Sequence, residues 1–366
     1  MVLHLPRVMT SSLRVLGVSI AAGALLVTAV PAAVSAAPLG IQFSIGMGNC
    51  DMRGWNAGNK QAILLVWKDS GGDLKSTQKV KSDKHGNWYS NCDYNEQIEA
   101  GDTIKATIGT KSRTIHVPQL SVAVDRVTNV VSGYGPPNDT VSLYVYTSDT
   151  SANQDVSTDP SGQYSFDFTS QLDIKGQDYA EADWYSPSGD DIYSYANAQY
   201  VQVWEGRAPD QDAAYVQAQP GEAVSVHLLD GSLVEKASFS GTGNRYGSLE
   251  GDFIDASGNV VRALAGDTID ATDVASDATW VLPAISVSGV ASTDRVSGTC
   301  VANSRYDFEA YSSFANRYAS YSGVTDSSGN FSRKITSQMD LQSGDHIDVY
   351  CTLPTGDQVD RHVTVP

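Results

Sequence analysis

The sequence predicts an all-β chain of four tandem antiparallel β-sandwich modules behind a cleaved signal peptide. Three observations carry this. A turn glycine followed by polar and aromatic residues occurs four times, as Gly86-Asn87-Trp88-Tyr89, Gly162-Gln163-Tyr164-Ser165, Gly243-Asn244-Arg245-Tyr246 and Gly329-Asn330-Phe331-Ser332. A second cadence follows each, as Gly101-Asp102-Thr103-Ile104, Gly176-Gln177-Asp178-Tyr179, Gly266-Asp267-Thr268-Ile269 and Gly344-Asp345-His346-Ile347. Between them apolar and polar residues alternate with period two, as in Thr140-Val141-Ser142-Leu143-Tyr144-Val145-Tyr146, the pattern of a half-buried strand.

Taken in order, residues 1–36 have the plan of a secretory signal. Arg7 and Arg14 precede an apolar run from Val15 to Val30, and Val34-Ser35-Ala36 offers small residues at the cleavage site. The run is short for a membrane span, so the mature chain is expected to have none. The turn glycines are spaced by 76, 81 and 86 residues, which divides the rest into modules at 38–117, 118–201, 202–283 and 284–366. The third module carries an insertion around Gly251 to Asn259. Modules two and four share Asp-Arg-Val, at Asp125 and Asp294, and Thr-Ser-Gln-x-Asp, at Thr169 and Thr336. Modules one and three share Gly-Asp-Thr-Ile, so a two-module unit of about 165 residues is duplicated. The joints between modules are expected to set the shape of a short rod.

The chain has 24 basic and 42 acidic residues, a formal net charge of −18. Such acidity excludes a nucleic-acid partner, because phosphate binding needs Lys and Arg to displace counterions. The charge is uneven: residues 38–117 hold ten Lys or Arg against eight Asp or Glu, and the remainder is strongly acidic. Four cysteines in an exported chain read as disulfides. Three pairings exist, of which Cys50 with Cys92 and Cys300 with Cys351, each within one module, is the simplest.

Val131-Ser132-Gly133, Pro137-Asn138-Asp139-Thr140-Val141 and Asp159-Pro160-Ser161-Gly162-Gln163-Tyr164-Ser165 resemble the bacterial Ig-like repeat modules of secreted and surface proteins. Module four repeats this as Val296-Ser297-Gly298 and Asp326 to Ser332. The resemblance implies an Ig-like fold and the work of spacers, adhesins or accessory domains, not one activity.

Three strings imitate chemistry. Asp69-Ser70-Gly71-Gly72 looks like a serine-protease nucleophile loop but lacks the preceding Gly and an upstream His in the mature chain, which makes it a hairpin turn. Leu353-Pro354-Thr355-Gly356 looks like an anchoring signal but matches Ser186-Pro187-Ser188-Gly189 in module two, a repeated turn. The series Asp267, Asp270, Asp273 and Asp277 offers Asp267 and Asp273 as weak candidates for intermodule calcium, which needs six to eight converging oxygens. No other cofactor is implied. The histidines His85, His116, His227, His346 and His362 fall beside no candidate nucleophile, so no catalytic residue is named.

Aromatics are dense in two places: Trp184, Tyr185, Tyr193, Tyr195, Tyr200 and Trp204, then Tyr306, Phe308, Tyr311, Phe314, Tyr318 and Tyr321. Trp184, Tyr185, Tyr318 and Tyr321 are candidates for stacking on a sugar ring, although Tyr also suits half-buried strands and module interfaces. The expectation is a non-catalytic extracellular or cell-surface structural and adhesive protein, with carbohydrate binding as the alternative. Its partner would be a cell-envelope component, another protein or a glycan.

Overall fold

The computed structural model describes residues 40–366 apart from 49, 91–95, 209–210, 246, 273–276 and 313–316. The expected signal peptide, Cys92, Tyr246, Asp273 and Phe314 therefore lie outside the described residues.

The chain is built of strands. The first module has β1 (Gln42–Gly46), β2 (Met52–Trp55), β3 (Ala62–Lys68), β4 (Leu74–Lys81), β5 (Trp88–Tyr89), β6 (Thr103–Ile108) and β7 (Lys111–His116). The second has β8 (Ser121–Asp125), β9 (Val130–Tyr134), β10 (Thr140–Tyr146), β11 (Ser151–Ser157), β12 (Gln163–Asp167), β13 (Tyr179–Tyr185) and β14 (Asp191–Asn197). The third has β15 (Tyr200–Ala208), β16 (Gln211–Gln217), β17 (Ala223–Leu229), β18 (Glu235–Thr242), β19 (Ser248–Asp252), β20 (Thr268–Thr272) and β21 (Asp277–Val281). The fourth has β22 (Ser286–Val290), β23 (Arg295–Thr299), β24 (Arg305–Tyr311), β25 (Tyr318–Val324), β26 (Asn330–Lys334), β27 (His346–Thr352) and β28 (Gln358–Thr364). Among the described residues one short 3-10 turn, Ala291–Thr293, interrupts this series. Among the described residues no helix is long and apolar enough to cross a membrane.

Each module is a sandwich of two sheets. Its first, second and fifth strands form a three-stranded sheet, and its third, fourth, sixth and seventh form a four-stranded one. Alternation places every second residue in the core: Val141, Leu143 and Val145 are all fully buried on β10.

The modules are fused in pairs. β1 lies parallel to β14, with Ser44, Ile45 and Gly46 opposite Asp191, Ile192 and Tyr193. β15 lies parallel to β28, with Gln202 to Glu205 opposite Gln358 to Arg361. These two contacts join the three-stranded sheet of modules one and three to the four-stranded sheet of modules two and four, giving two seven-stranded sheets. Modules one and two therefore meet through one continuous sheet, not as units joined only by a linker. The fusion also covers four strand edges whose unpaired amides would otherwise invite aggregation. One hydrophobic core runs from Ile41 to Ala198 and a second from Val201 to Val365, so the duplication read from the sequence is also the division of the interior.

A buried aspartate latches each fusion. Asp190, at the tip of the β13–β14 hairpin, accepts the Phe43 N–H at 3.0 Å and pairs with Arg113. Asp357, at the equivalent hairpin tip, accepts the Val201 N–H at 2.8 Å. Its cation comes from the other pair: Arg126 holds both carboxylate oxygens, at 3.2 and 3.1 Å. The Gly176 N–H donates to Thr355 O across the same seam at 2.9 Å.

The hairpins follow one rule. Asp83, Asp159 and Asp326 each accept backbone N–H groups two and four residues on, between 2.7 and 2.9 Å. Gly86, Gly162 and Gly329 close these turns at φ near +85°, where a side chain is strained. The third module departs from the register read in the sequence. Its turn glycine is Gly247, not Gly243, because Ala218 N–H donates to Gly247 O as Gly135 N–H donates to Gly162 O. Asn244 begins that turn in place of the aspartate. In the second cadence, Gln177 (φ 71°), not Gly176, fills the place of Gly101, Gly266 and Gly344. The shared Asp-Arg-Val is likewise out of step: Asp294 is equivalent to Asn129, since both send a side-chain oxygen to the N–H that opens the loop after the fifth strand, at Leu341 and Ile174.

Cys300 and Cys351 form a disulfide with Cα atoms 5.6 Å apart, tying the end of β23 to β27 and so one sheet of module four to the other. Cys50 is buried, and its expected partner is outside the described residues.

Candidate functional site

The repeated aspartates are structural. Asp102 accepts Trp67 Nε1 at 2.8 Å, Lys75 Nζ at 3.1 Å and the Glu99 N–H at 3.0 Å. Asp345 pairs with Arg317 at 2.7 Å and accepts the Gln342 N–H at 2.8 Å. Asp267 does the same with Lys236 and the Leu264 N–H, so calcium at Asp267 would have to displace a lysine. Among the described residues no group of three or more His, Cys, Asp or Glu side chains is arranged to hold a metal. Asp69 to Asp73 and Leu353 to Asp357 are hairpin turns.

The four candidate stacking residues do not act as two pairs. Trp184 and Tyr185 are neighbours on β13 and so point to opposite sides. Trp184 packs against the core and donates Nε1 to Asp139 at 2.9 Å, whereas Tyr185 is exposed and donates to Asp183 at 3.2 Å. Tyr318 is exposed and donates to Glu309 at 2.8 Å. Tyr321, three residues on, lies over Phe308 with the Arg333 guanidinium 4.1 Å from its ring centre.

What the fold does bring together are the outward faces of the two seven-stranded sheets. On the first, β10, β13 and β14 turn Tyr144, Tyr146, Tyr179, Tyr185, Tyr193 and Tyr195 outward, because Leu143, Ala182 and Ile192 occupy the core side. Glu181, Asp183 and Asp191 stand among these rings. Asp183 is only 7% exposed, and burial, reinforced by the charges of Glu181 and Asp191, pushes its carboxyl up to about 8. Burial raises Asp191 too, although it accepts Ser44 Oγ at 3.0 Å. The Arg53 guanidinium sits over the Tyr193 ring, 5.6 Å from its centre.

On the second face, His362 Nδ1 lies 2.6 Å from Asp348 Oδ1 and its Nε2 3.2 Å from His346 Nδ1, with Tyr311 stacked on His346. Residue spacing hid this group. His346 and His362 are 16 residues apart, and only the β27–β28 register, set by the Leu353 to Asp357 turn, places His362 opposite Asp348. A cavity of about 300 Å³ beside it is lined by Trp204, Glu205, Tyr311, Asp348, Tyr350, Asp360 and His362. The Glu205 carboxylate is bound to Arg361 at 3.0 Å, and burial still pushes it up to about 7. No Ser, Thr or Cys lines the cavity; the Thr364 hydroxyl lies 3.5 Å from His346 Nδ1, at the end of the histidine chain away from Asp348. A larger cleft of about 810 Å³ lies between modules two and four, walled on one side by the stacked rings of Tyr146 and Tyr179.

No family model matches the chain, and no curated protein matches it. Among solved structures, the chain is similar to a tetra-tandem repeat in the extending region of a large adhesion protein. That match has 15% identity and a TM-score of 0.19, and covers 89% of this chain and 99% of that one. A biofilm-associated protein domain matches with 8% identity and a TM-score of 0.19, over 89% and 95% of the two chains. Alpha-2-macroglobulin of E. coli matches with 9% identity and a TM-score of 0.18, over 89% of this chain and 28% of that one. None of these identities reaches the level at which a shared activity follows.

The raised carboxyls have a consequence for stability. Asp183, Asp191 and Glu205 hold their protons to higher pH in the folded chain than in the unfolded one. From about pH 4 to 8 the unfolded chain therefore binds fewer protons, and their contribution to stability falls as pH rises. The turn aspartates Asp83, Asp159, Asp230, Asp255 and Asp326 are lowered by backbone N–H and side-chain donors, so their contribution is lost as pH falls below the ordinary Asp range. Denaturant melts are expected to show greatest stability near pH 5. Asp183→Asn is expected to add about 2 kcal/mol at pH 9 and almost nothing at pH 4. An equal gain at both values would show that the carboxyl ionises normally.

Proposed function

We propose that the chain is a non-catalytic, load-bearing structural and adhesive protein that works outside the cell. The observation that carries this is the parallel neighbourhood of the first and last strands of each pair, β1 with β14 and β15 with β28. Tension entering at the start of one strand and leaving at the end of the other pulls the two past each other. All the hydrogen bonds of the ladder then resist together, and the Asp190 and Asp357 latches sit on those ladders. An extracellular setting is supported by the buried disulfide and by the signal-like first 36 residues. Fractionation of expressing cells tests this. The reading expects the protein in the surface-associated fraction, partly released by salt, and protein found only in the cytosol would end it.

Glycan binding is a second reading, favoured by the 810 Å³ cleft and its paired tyrosines. Trp184, Tyr185, Tyr318 and Tyr321 do not line that cleft. Tyr179→Ala is expected to abolish retention on a glycan column that holds the parent. Retention unchanged would remove the cleft from consideration.

A further inference from the structure

The two seven-stranded faces are related by the duplication, so each serves as a control for the other. Phe43 and Val201 occupy the same place, since each gives its N–H to the latching aspartate. Counting along the paired strands from them, Arg53 corresponds to Tyr215, Gly46 to Trp204, and Tyr193 to Asp360. In the first face the chain supplies its own cation. Arg53 stands over the Tyr193 ring, donates Nε to Ser44 Oγ at 3.3 Å, and its charge offsets part of the rise that burial imposes on the neighbouring Asp191. In the second face that arginine is a tyrosine, the glycine is a tryptophan, and the cavity beside Trp204 is lined by three rings, Trp204, Tyr311 and Tyr350, with Glu205, Asp348, Asp360 and His362. No lysine or arginine is among its lining residues; Arg361 holds Glu205 at 3.0 Å and His362 holds Asp348 at 2.6 Å.

We propose that this cavity binds an organic cation, the ammonium or guanidinium head of a basic side chain on a partner protein. The negative faces of aromatic rings attract such a head, Trp most strongly, and the attraction grows as water is excluded. Asp360, together with Asp348, whose Oδ1 is shared with His362, supplies the charge that makes a cation preferable to a neutral group of the same shape. At about 300 Å³ the cavity sits at the small end of ligand sites and suits one side-chain head better than an oligosaccharide. The net charge of −18 draws basic partners toward the chain before contact. The site goes beyond the load-bearing role and stands without it.

The test is NMR titration of the full chain with acetyl-lysinamide, n-butylammonium, glucosamine and the neutral n-butanol. The indole N–H resonance of Trp204 is assigned with Trp204→Phe. Both alkylammonium probes are expected to shift that resonance saturably, with n-butanol inert and glucosamine weaker than acetyl-lysinamide. Tyr215→Arg, which gives the second face the internal cation of the first, is expected to weaken acetyl-lysinamide binding about 5- to 30-fold. Its melting curve, compared with the parent, shows that it is folded. Equal shifts from n-butanol, or unchanged affinity in folded Tyr215→Arg, would overturn the site. Tighter binding of glucosamine would overturn the choice of a protein side chain as its occupant.

Discussion

Asp190→Ala is expected to cost the chain about 3–5 kcal/mol, the usual loss when one member of a buried ion pair is removed. Asp190 is 2% exposed and accepts the Phe43 N–H, Ser186 Oγ at 3.0 Å and Ser188 Oγ at 3.1 Å while pairing with Arg113. Arg113 is itself largely covered and lies near the Phe43 ring, so alanine would leave a guanidinium inside the joint with no carboxylate to answer it. Asp190→Asn keeps an acceptor for Phe43 and is expected to cost less. Asp357→Ala should carry a similar cost and in addition release Arg126, which binds the two pairs together. Urea denaturation checks both variants. A loss below about 1 kcal/mol for Asp190→Ala would place the joint's strength elsewhere.

Replacing Cys300 and Cys351 together by serine is expected to cost about 4 kcal/mol, from the entropy that the bridge removes from the unfolded chain. The loop it closes spans 51 residues and includes β24, β25 and β26, so most of module four is held inside it. The control is reduction of the parent. Reductant should lower the parent to the stability of the variant and leave the double-serine chain where it was, apart from any effect at Cys50. A variant as stable as the oxidised parent would mean that the two sheets of module four hold without the bridge.

Much of this architecture was legible in the sequence, for local reasons. Strands such as β10 announce themselves by alternation, and Asp159 to Gln163 announces its turn because the aspartate bonds its own backbone. The two-module duplication was visible in Thr169 and Thr336, which do occupy equivalent places. The parallel joint was not visible: Ser44 meets Asp191 across 147 residues, with no turn between them to declare the pairing. The repeat alignment slipped where chemistry substitutes for identity, with Asn244 taking the role of an aspartate and Gln177 that of a glycine. The separation of Trp184 from Tyr185, and of Tyr318 from Tyr321, follows from strand period alone, since an odd spacing sends two side chains to opposite faces. The grouping of Asp348, His346 and His362 needed the hairpin register, which the turn at Leu353 supplies once it is read as a turn.

The central claim is that each pair of modules resists force as one body, through its parallel terminal strands. Pulling single molecules by their two ends, with reductant present to open the disulfides, tests it most directly, because forced unfolding reports the barrier of the structure under load. The claim predicts two high-force events, each releasing roughly 50 nm of chain at about 3.3–3.6 Å per residue. Without reductant, the second pair's event should shorten by the 51 residues that its disulfide encloses. Four separate events of roughly 25 nm at similar force would contradict it, and would show modules that yield one at a time.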